Sequence, residues 1–185
     1  MGGTGATVGN DPRVLVLMGV SGCGKTTVAA LLAGRFGWEF EEGDSLHPQS
    51  NVEKMHAGHP LTDEDRWPWL AKVADWIEAE LDAGKHGVVT CSALKRSYRE
   101  VLNRRGTGVV FVYLAGTPEQ IGARLAARQG HFMPASLLAS QFADLEEPGE
   151  DEPAIRVDIG EAPRHIVQAI VDDLGLGSPT PLDRT

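Results

Sequence analysis

Apolar residues fall along this chain in two rhythms: short unbroken runs, and longer stretches at helical spacing. Arg13 to Met18 (RVLVLM) is unbroken between Pro12 and Gly19, and its length and β-branching predict a buried strand. A helix is expected from about Lys25, with Val28, Leu31, Leu32 and Phe36 on one face and Gly37 as its stop. Trp38 to Glu42 reads as a second strand. Residues 43–68 are polar and turn-rich, with one short helix over Gln49 to Ala57. Positions 69, 70, 73, 76, 77 and 81 are apolar, which makes Trp69 to Leu81 a helix closed by Gly84 and Gly87. Gly87 to Cys91 predicts a third strand, Lys95 to Arg105 a basic helix, and Val109 to Leu114 (VVFVYL) a fourth strand. Thr117 caps a helix that runs to Arg128 with Pro118 at its first position. Residues 129–152 are irregular apart from a helix over Ala135 to Leu145. Ile155 to Ile159 is a last strand and Pro163 to Leu174 a last helix.

Strands that alternate with helices imply an α/β fold with a parallel sheet covered on both faces. Ligands in such sheets bind at the carboxyl ends of the strands. The length of 185 residues suits one domain. We expect residues 1–11 to be a flexible lead-in, 12–175 the domain, and 176–185 a frayed tail. The net charge of −9 argues against nucleic-acid or anionic-membrane partners, because both need a basic face. No run approaches the roughly 20 apolar residues of a membrane span, and the N-terminus lacks the basic and apolar regions of a signal peptide. Cys23 and Cys91 lie far apart and read as reduced thiols in a cytoplasmic protein.

The strongest chemical signal lies between the first strand and first helix. Gly19, Val20, Ser21, Gly22, Cys23, Gly24, Lys25 and Thr26 fit the pattern G-x-x-x-x-G-K-[ST], with Thr27 next to it. Backbone N–H groups of such a loop cradle phosphates, and the helix N-terminus adds its positive dipole end. Lys25 is expected to reach the β- and γ-phosphates of ATP, and the Thr26 hydroxyl to hold Mg²⁺. A GTPase would need Asn-Lys-x-Asp, which is absent. An ATPase usually carries an acid at the end of an apolar strand, but here VVTC runs into Ser92. Asp44, after the second strand, is then the better site carboxylate. It can take or orient the proton of an acceptor hydroxyl and help hold the metal.

Three further segments carry candidates. LTDEDRWPWL, residues 61–70, sets Arg66 among acids and tryptophans, where a guanidinium can clamp a carboxylate. SALKRSYR, residues 92–99, follows the third strand and should bring Lys95, Arg96 and Arg99 toward the phosphate loop. Of these, Arg99 best suits a solvated helix face. RLAARQGHFMP, residues 124–134, puts Arg124 and Arg128 on one helical face before a break at Gly130. That is the look of a kinase lid over about 124–150, with one arginine stacking on adenine and the other on the transferring phosphoryl group. A pocket with Arg66, Lys95 and Arg96 suits the carboxylate of a small polyhydroxy acid. Asp44, His47 and His131 suit its hydroxyls. The same groups would suit shikimate, so the residues alone name a class of acceptor.

Taken together, GVSGCGKT, EEGDSLHPQSNVEKMHAGHPLTDEDRWPWL, TCSALKRSYRE, VFVYLAG and RLAARQGHFMPASLLASQFADLEEP resemble the small P-loop gluconokinases, relatives of shikimate kinases and nucleoside monophosphate kinases. The resemblance covers Val14 to about Asp151. It implies a P-loop NTPase three-layer α/β/α sandwich with a five-stranded parallel sheet and a mobile lid. It also implies ATP- and Mg²⁺-dependent phosphorylation of gluconate, and often a homodimer. By position it assigns Lys25 and Thr26 to ATP and metal, and Asp44 to the acceptor hydroxyl. Arg66, Lys95 and His131 then hold the sugar acid, with Arg124 and Arg128 as the lid pair. Two other readings remain: a kinase for another small acceptor, and an ATP-binding module without chemistry.

Overall fold

The computed structural model describes residues 11–127 and 135–177. Its centre is a strand that is apolar at every position. β1 (Val14–Met18) has all five side chains buried, because it lies in the middle of the sheet with helices on both faces. Leu15 and Leu17 point into one core, while Val14, Val16 and Met18 point into the other, following the two-residue period of a strand. The sheet has five strands in the order β2-β3-β1-β4-β5, and all pairings are parallel. The other strands are β2 (Glu39–Glu42), β3 (Gly87–Thr90), β4 (Val109–Ala115) and β5 (Ala154–Asp158). α1 (Lys25–Phe36) and α7 (Pro163–Leu174) cover one face. α3 (Asp63–Asp82) and α4 (Arg96–Leu102) cover the other. The described residues hold three further α-helices: α2 (Gln49–His56), α5 (Pro118–Ala127) and α6 (Ala135–Asp144).

This is the α/β architecture that the alternating rhythms predict. The expected stop of α1 is observed, with Gly37 left-handed at φ 68° and its N–H returning to the Ala33 carbonyl. Thr117 and Gln120 form the expected cap of α5, each accepting from the other's backbone N–H.

Three expectations need correction. α3 begins at Asp63, six residues before Trp69, where the sequence reads as turn. Thr62 accepts from Asp65 N–H and Asp65 accepts from Thr62 N–H, so a capping box starts the helix. The acidic first turn Asp63, Glu64 and Asp65 suits the helix dipole, and Pro68 is accommodated within the helix. α4 ends at Leu102 and not Arg105, because Asn103 turns the chain and Gly106 donates back to its carbonyl. Leu31, placed on the apolar stripe of α1, is instead exposed, and Ala29 and Ala33 take the inward face. Arg128 and His131 lie outside the described residues, as do the N-terminal lead-in up to Asn10 and the tail from residue 178.

Candidate active site

The sheet order decides what can meet. β2, β3 and β1 are neighbours, so the segments leaving their carboxyl ends lie side by side. Those segments carry Asp44, the stretch from Cys91 to Lys95, and the phosphate loop. A backbone bond from Gly19 N–H to the Ser92 carbonyl at 3.2 Å ties the last two together. Beyond β1, the ends of β4 and β5 flank the other side of the loop.

Gly24 takes φ 95° at the start of α1, a left-handed conformation that turns the loop into the helix. Lys25 Nζ lies over the loop, donating to the Gly19 carbonyl at 2.9 Å and the Val20 carbonyl at 3.1 Å. Thr26 and Thr27 are exposed in the first turn of α1, where hydroxyls and free N–H groups face solvent. Arg124 reaches the loop from α5. Its Nη1 lies 3.5 Å from the Cys23 carbonyl, and its Nη2 donates to the Ile159 carbonyl after β5. On the opposite flank Gln141 of α6 meets Ser21. Its Oε1 accepts from Ser21 N–H at 2.7 Å and its Nε2 donates to Ser21 Oγ at 3.0 Å.

The acceptor side is assembled from distant parts. Gly43 follows β2 so close to β3 that a Cβ there would stand 2.0 Å from the Thr90 carbonyl oxygen. Its N–H donates to Thr90 Oγ1, which itself donates to Glu42, and its carbonyl accepts from Trp69 Nε1 at 2.7 Å. The chain is thereby pinned where Asp44 emerges, with the Asp44 carboxylate 84% exposed. His47, one turn later, is stacked on Trp69 with ring centroids 4.0 Å apart. Its Nδ1 lies 3.2 Å from Asn51 Nδ2 and its Nε2 is 4.0 Å from Asp44 Oδ1. Burial lowers the His47 pKa below its ordinary 6.5, against the opposing pull of Asp44. The ring is therefore a neutral donor or acceptor at pH 7.

Arg66 and Lys95 do converge. Lys95 Nζ lies 3.3 Å from Asp63 Oδ1, and Arg66 Nη1 lies 3.9 Å from the same oxygen while donating to the Tyr98 hydroxyl at 2.8 Å. Tyr98 donates to Asp63 in turn. That hydroxyl, followed by Lys95 and Arg66, holds the Asp63 carboxyl below the usual range. Two cations and a phenol thus surround one carboxylate oxygen, an arrangement that fits recognition of an acid.

Arg96 and Arg99 are placed the reverse of the expectation. Arg96 turns away from Lys95 to the loop before β5, where Nη1 donates to Asp151 at 3.1 Å, and its neighbour Glu100 lies at 3.5 Å. It is not brought to the cluster of Arg66, Lys95, Asp63 and Tyr98. Arg99 is 1% exposed, not solvated. Its Nε donates to Glu152 at 2.7 Å and its Nη1 to the Ala93 and Leu94 carbonyls. This buried fork holds the backbone just before Lys95, where Ala93 takes φ 46°. Asp63, Tyr98, Asn51 and Gln141 join the site without a mark in the sequence pattern. Asp63 and Tyr98 meet across 35 residues of chain, and Ser21 and Gln141 across 120, so spacing gives no sign of them. Cys91 is inert, as expected: burial pushes its thiol up to about 12.

Comparison with known proteins agrees with this geometry. A family model described as an AAA domain matches residues 14–148. A gluconokinase of Gluconobacter oxydans (strain 621H) is 54% identical over 164 residues, covering 89% of this chain and 92% of that protein. Among solved structures, a gluconokinase from Sinorhizobium meliloti 1021 superposes with a TM-score of 0.82 at 42% identity, covering 89% of this chain and 92% of the other. A sugar kinase from Janibacter sp. HTCC2649 does so with the same TM-score at 46% identity, covering 91% and 99%. Identity of this extent over most of the chain means that it belongs to the gluconokinase family of P-loop kinases.

Proposed function

We propose that this protein transfers the γ-phosphoryl group of ATP to gluconate, giving 6-phosphogluconate and ADP. The observation that carries the reading is the pair Arg66 and Lys95, gathered around Tyr98 and Asp63 beside the strand end that is bonded to the phosphate loop. It supplies charge for a sugar-acid carboxylate at a fixed distance from the phosphate donor. Lys25 neutralises the β- and γ-phosphates. Asp44, exposed at the end of β2, orients the acceptor hydroxyl or takes its proton; in a loose transition state orientation already lowers the barrier. His47, neutral and buried, offers a ring nitrogen to a sugar hydroxyl. Arg124 covers the base side, where the Ile159 carbonyl also lies. Arg128 and His131 complete the lid in this reading, over about 124–150, with Arg128 on the transferring group and His131 on the sugar acid.

Mg²⁺ fits the donors available. The Thr26 hydroxyl lies in the first turn of α1 and the Asp44 carboxylate stands exposed after β2, two hard oxygens that leave most of a cation's coordination to other ligands. That is the pattern of a metal shared with substrate phosphates. Bound there, Mg²⁺ would offset charge on the transferring group. The family reading also carries a homodimer and a cytoplasmic location. Among the described residues no helix is long and apolar enough to cross a membrane.

The test is ADP release measured across gluconate, shikimate, a nucleoside monophosphate and water. Gluconate should give turnover far above the water background. Turnover with another acceptor and none with gluconate would overturn the assignment, and ATP binding without acceptor-dependent ADP would leave a binding module.

A further inference from the structure

Gln141 has no part in the reading above, yet both polar ends of its side chain engage the phosphate loop. Its helix does not need those bonds for anchorage. Leu138 and Phe142, with Leu145 just after the helix, already pack α6 against the core. The contact is with the third residue of the loop, and the sheet order gives that residue a direction. Arg124 and the Ile159 carbonyl mark the side of β4 and β5. Gly19, bonded to Ser92, marks the side of β3 and the acid-binding cluster. ATP laid across the loop with its base toward Arg124 brings its terminal phosphoryl group to the Ser21 end.

We propose that Gln141 is a ligand of the γ-phosphoryl group of ATP. Its amide oxygen accepts from a backbone N–H that a phosphate oxygen would also take. Any phosphate oxygen bound by Ser21 N–H therefore stands within reach of this amide. The carbonyl end would repel it. The amide ends are alike in size, so the side chain can turn over and present its two N–H donors to the phosphoryl oxygens. The helix that follows the lid segment then carries a neutral donor to the group being transferred, alongside the positive charge of Lys25. A neutral donor binds the phosphoryl group in ground and transition states without adding to the pocket's charge.

This inference rests on the reading that the loop binds ATP with the acceptor at the β3 side. Its test needs no acceptor, so it can fail separately from the gluconate assignment. Calorimetric titration would compare ADP with a non-transferable β,γ-imido analogue of ATP for the intact protein, Gln141→Ala and the near-isosteric Gln141→Met. Thermal melts would confirm folding. The expected result is a loss of roughly 10-fold in analogue affinity with ADP affinity held within about 2-fold. Gln141→Glu should lose more, because a carboxylate there faces phosphate. Equal loss for ADP and analogue would reduce Gln141 to loop support and overturn the proposal. Unchanged affinities, or tighter binding of both nucleotides, would overturn it as well.

Discussion

The two halves of this site are built in opposite ways. The donor half is contiguous: eight residues from Gly19 to Thr26 form a loop between one strand and one helix, and their own backbone supplies most of the chemistry. The proposed acceptor half is scattered. Asp44 comes from the end of β2, Arg66 and Asp63 from the first turns of α3, and Lys95 and Tyr98 from the start of α4. A local motif shapes the donor half, and distant groups such as the Ser92 carbonyl and Gln141 only brace it. The acceptor half exists only because β2, β3 and β1 are adjacent and α3 packs beside α4.

That contrast can be broken experimentally, beginning with the donor side. Lys25→Ala should lower kcat by roughly 10²–10³-fold, as for removal of one strong electrostatic donor. The Tm should stay close to that of the parent, because among the described residues the ammonium bonds within its own loop, to the Gly19 and Val20 carbonyls and to Cys23 Sγ. A variant with full turnover would sink every kinase mechanism for this chain.

The joint between the halves should be the most sensitive to a single methyl group. Gly43→Ala sets a Cβ into the Thr90 carbonyl at 2.0 Å, and the atoms it would meet, from Thr90 and Cys91 at the end of β3, are all backbone. Urea denaturation should show a loss of about 3 kcal/mol. If stability is unchanged, β2 and β3 are not pinned as closely as described.

On the acceptor side, Arg66→Ala should raise the KM for gluconate roughly 10- to 100-fold and leave the KM for ATP within about 2-fold, since a charge-assisted contact is lost. Arg96→Ala is the matched control. Its guanidinium is paired with Asp151 away from Lys95, so the KM for gluconate should barely move. Equal effects of the two would mean that the sequence grouping of Arg96 with Lys95 was right after all.

The smallest effect concerns pH. Burial holds the folded-state pKa of His47 below 6.5, so below that pH the unfolded chain takes up a proton that the folded chain resists. The stability contributed by the neutral ring is complete above about pH 6.5 and is lost as pH falls toward the folded-state pKa. Tm measured from pH 7.5 to 5 should show this slope, and His47→Asn should flatten it. An unchanged slope in the variant would place the titrating group elsewhere.

Much of the fold is legible in the sequence, for definite reasons. The unbroken runs VLVLM and VVFVYLA are buried on both faces, so burial writes itself into every position. Caps are equally local: Gly37 and Thr117 act on backbone groups within a turn of themselves. The start of α3 is harder to read because its first turn, Asp63 to Asp65, is acidic and solvent-facing, so no apolar period marks it. Its signal was the Thr62–Asp65 capping box, hidden within a polar stretch.

The arginines of α4 mark the boundary most sharply. The composition of SALKRSYR shows that cations follow β3, and nothing in it ranks Arg96 against Arg99. They lie three residues apart on a helix, so a modest rotation about its axis exchanges their surroundings. The docking of α4 fixes that rotation. Tyr98 and Leu102 enter the core, Arg99 is drawn onto Glu152, and Arg96 is left to Asp151. The sequence by itself determined the phosphate loop, the order of strands and helices along the chain, and the family. Only the tertiary structure decided which cations gather at Asp63 and Tyr98 and which brace the backbone. The first set depends on contacts within a few residues, and the second on side chains that meet across 30 to 120 positions of chain.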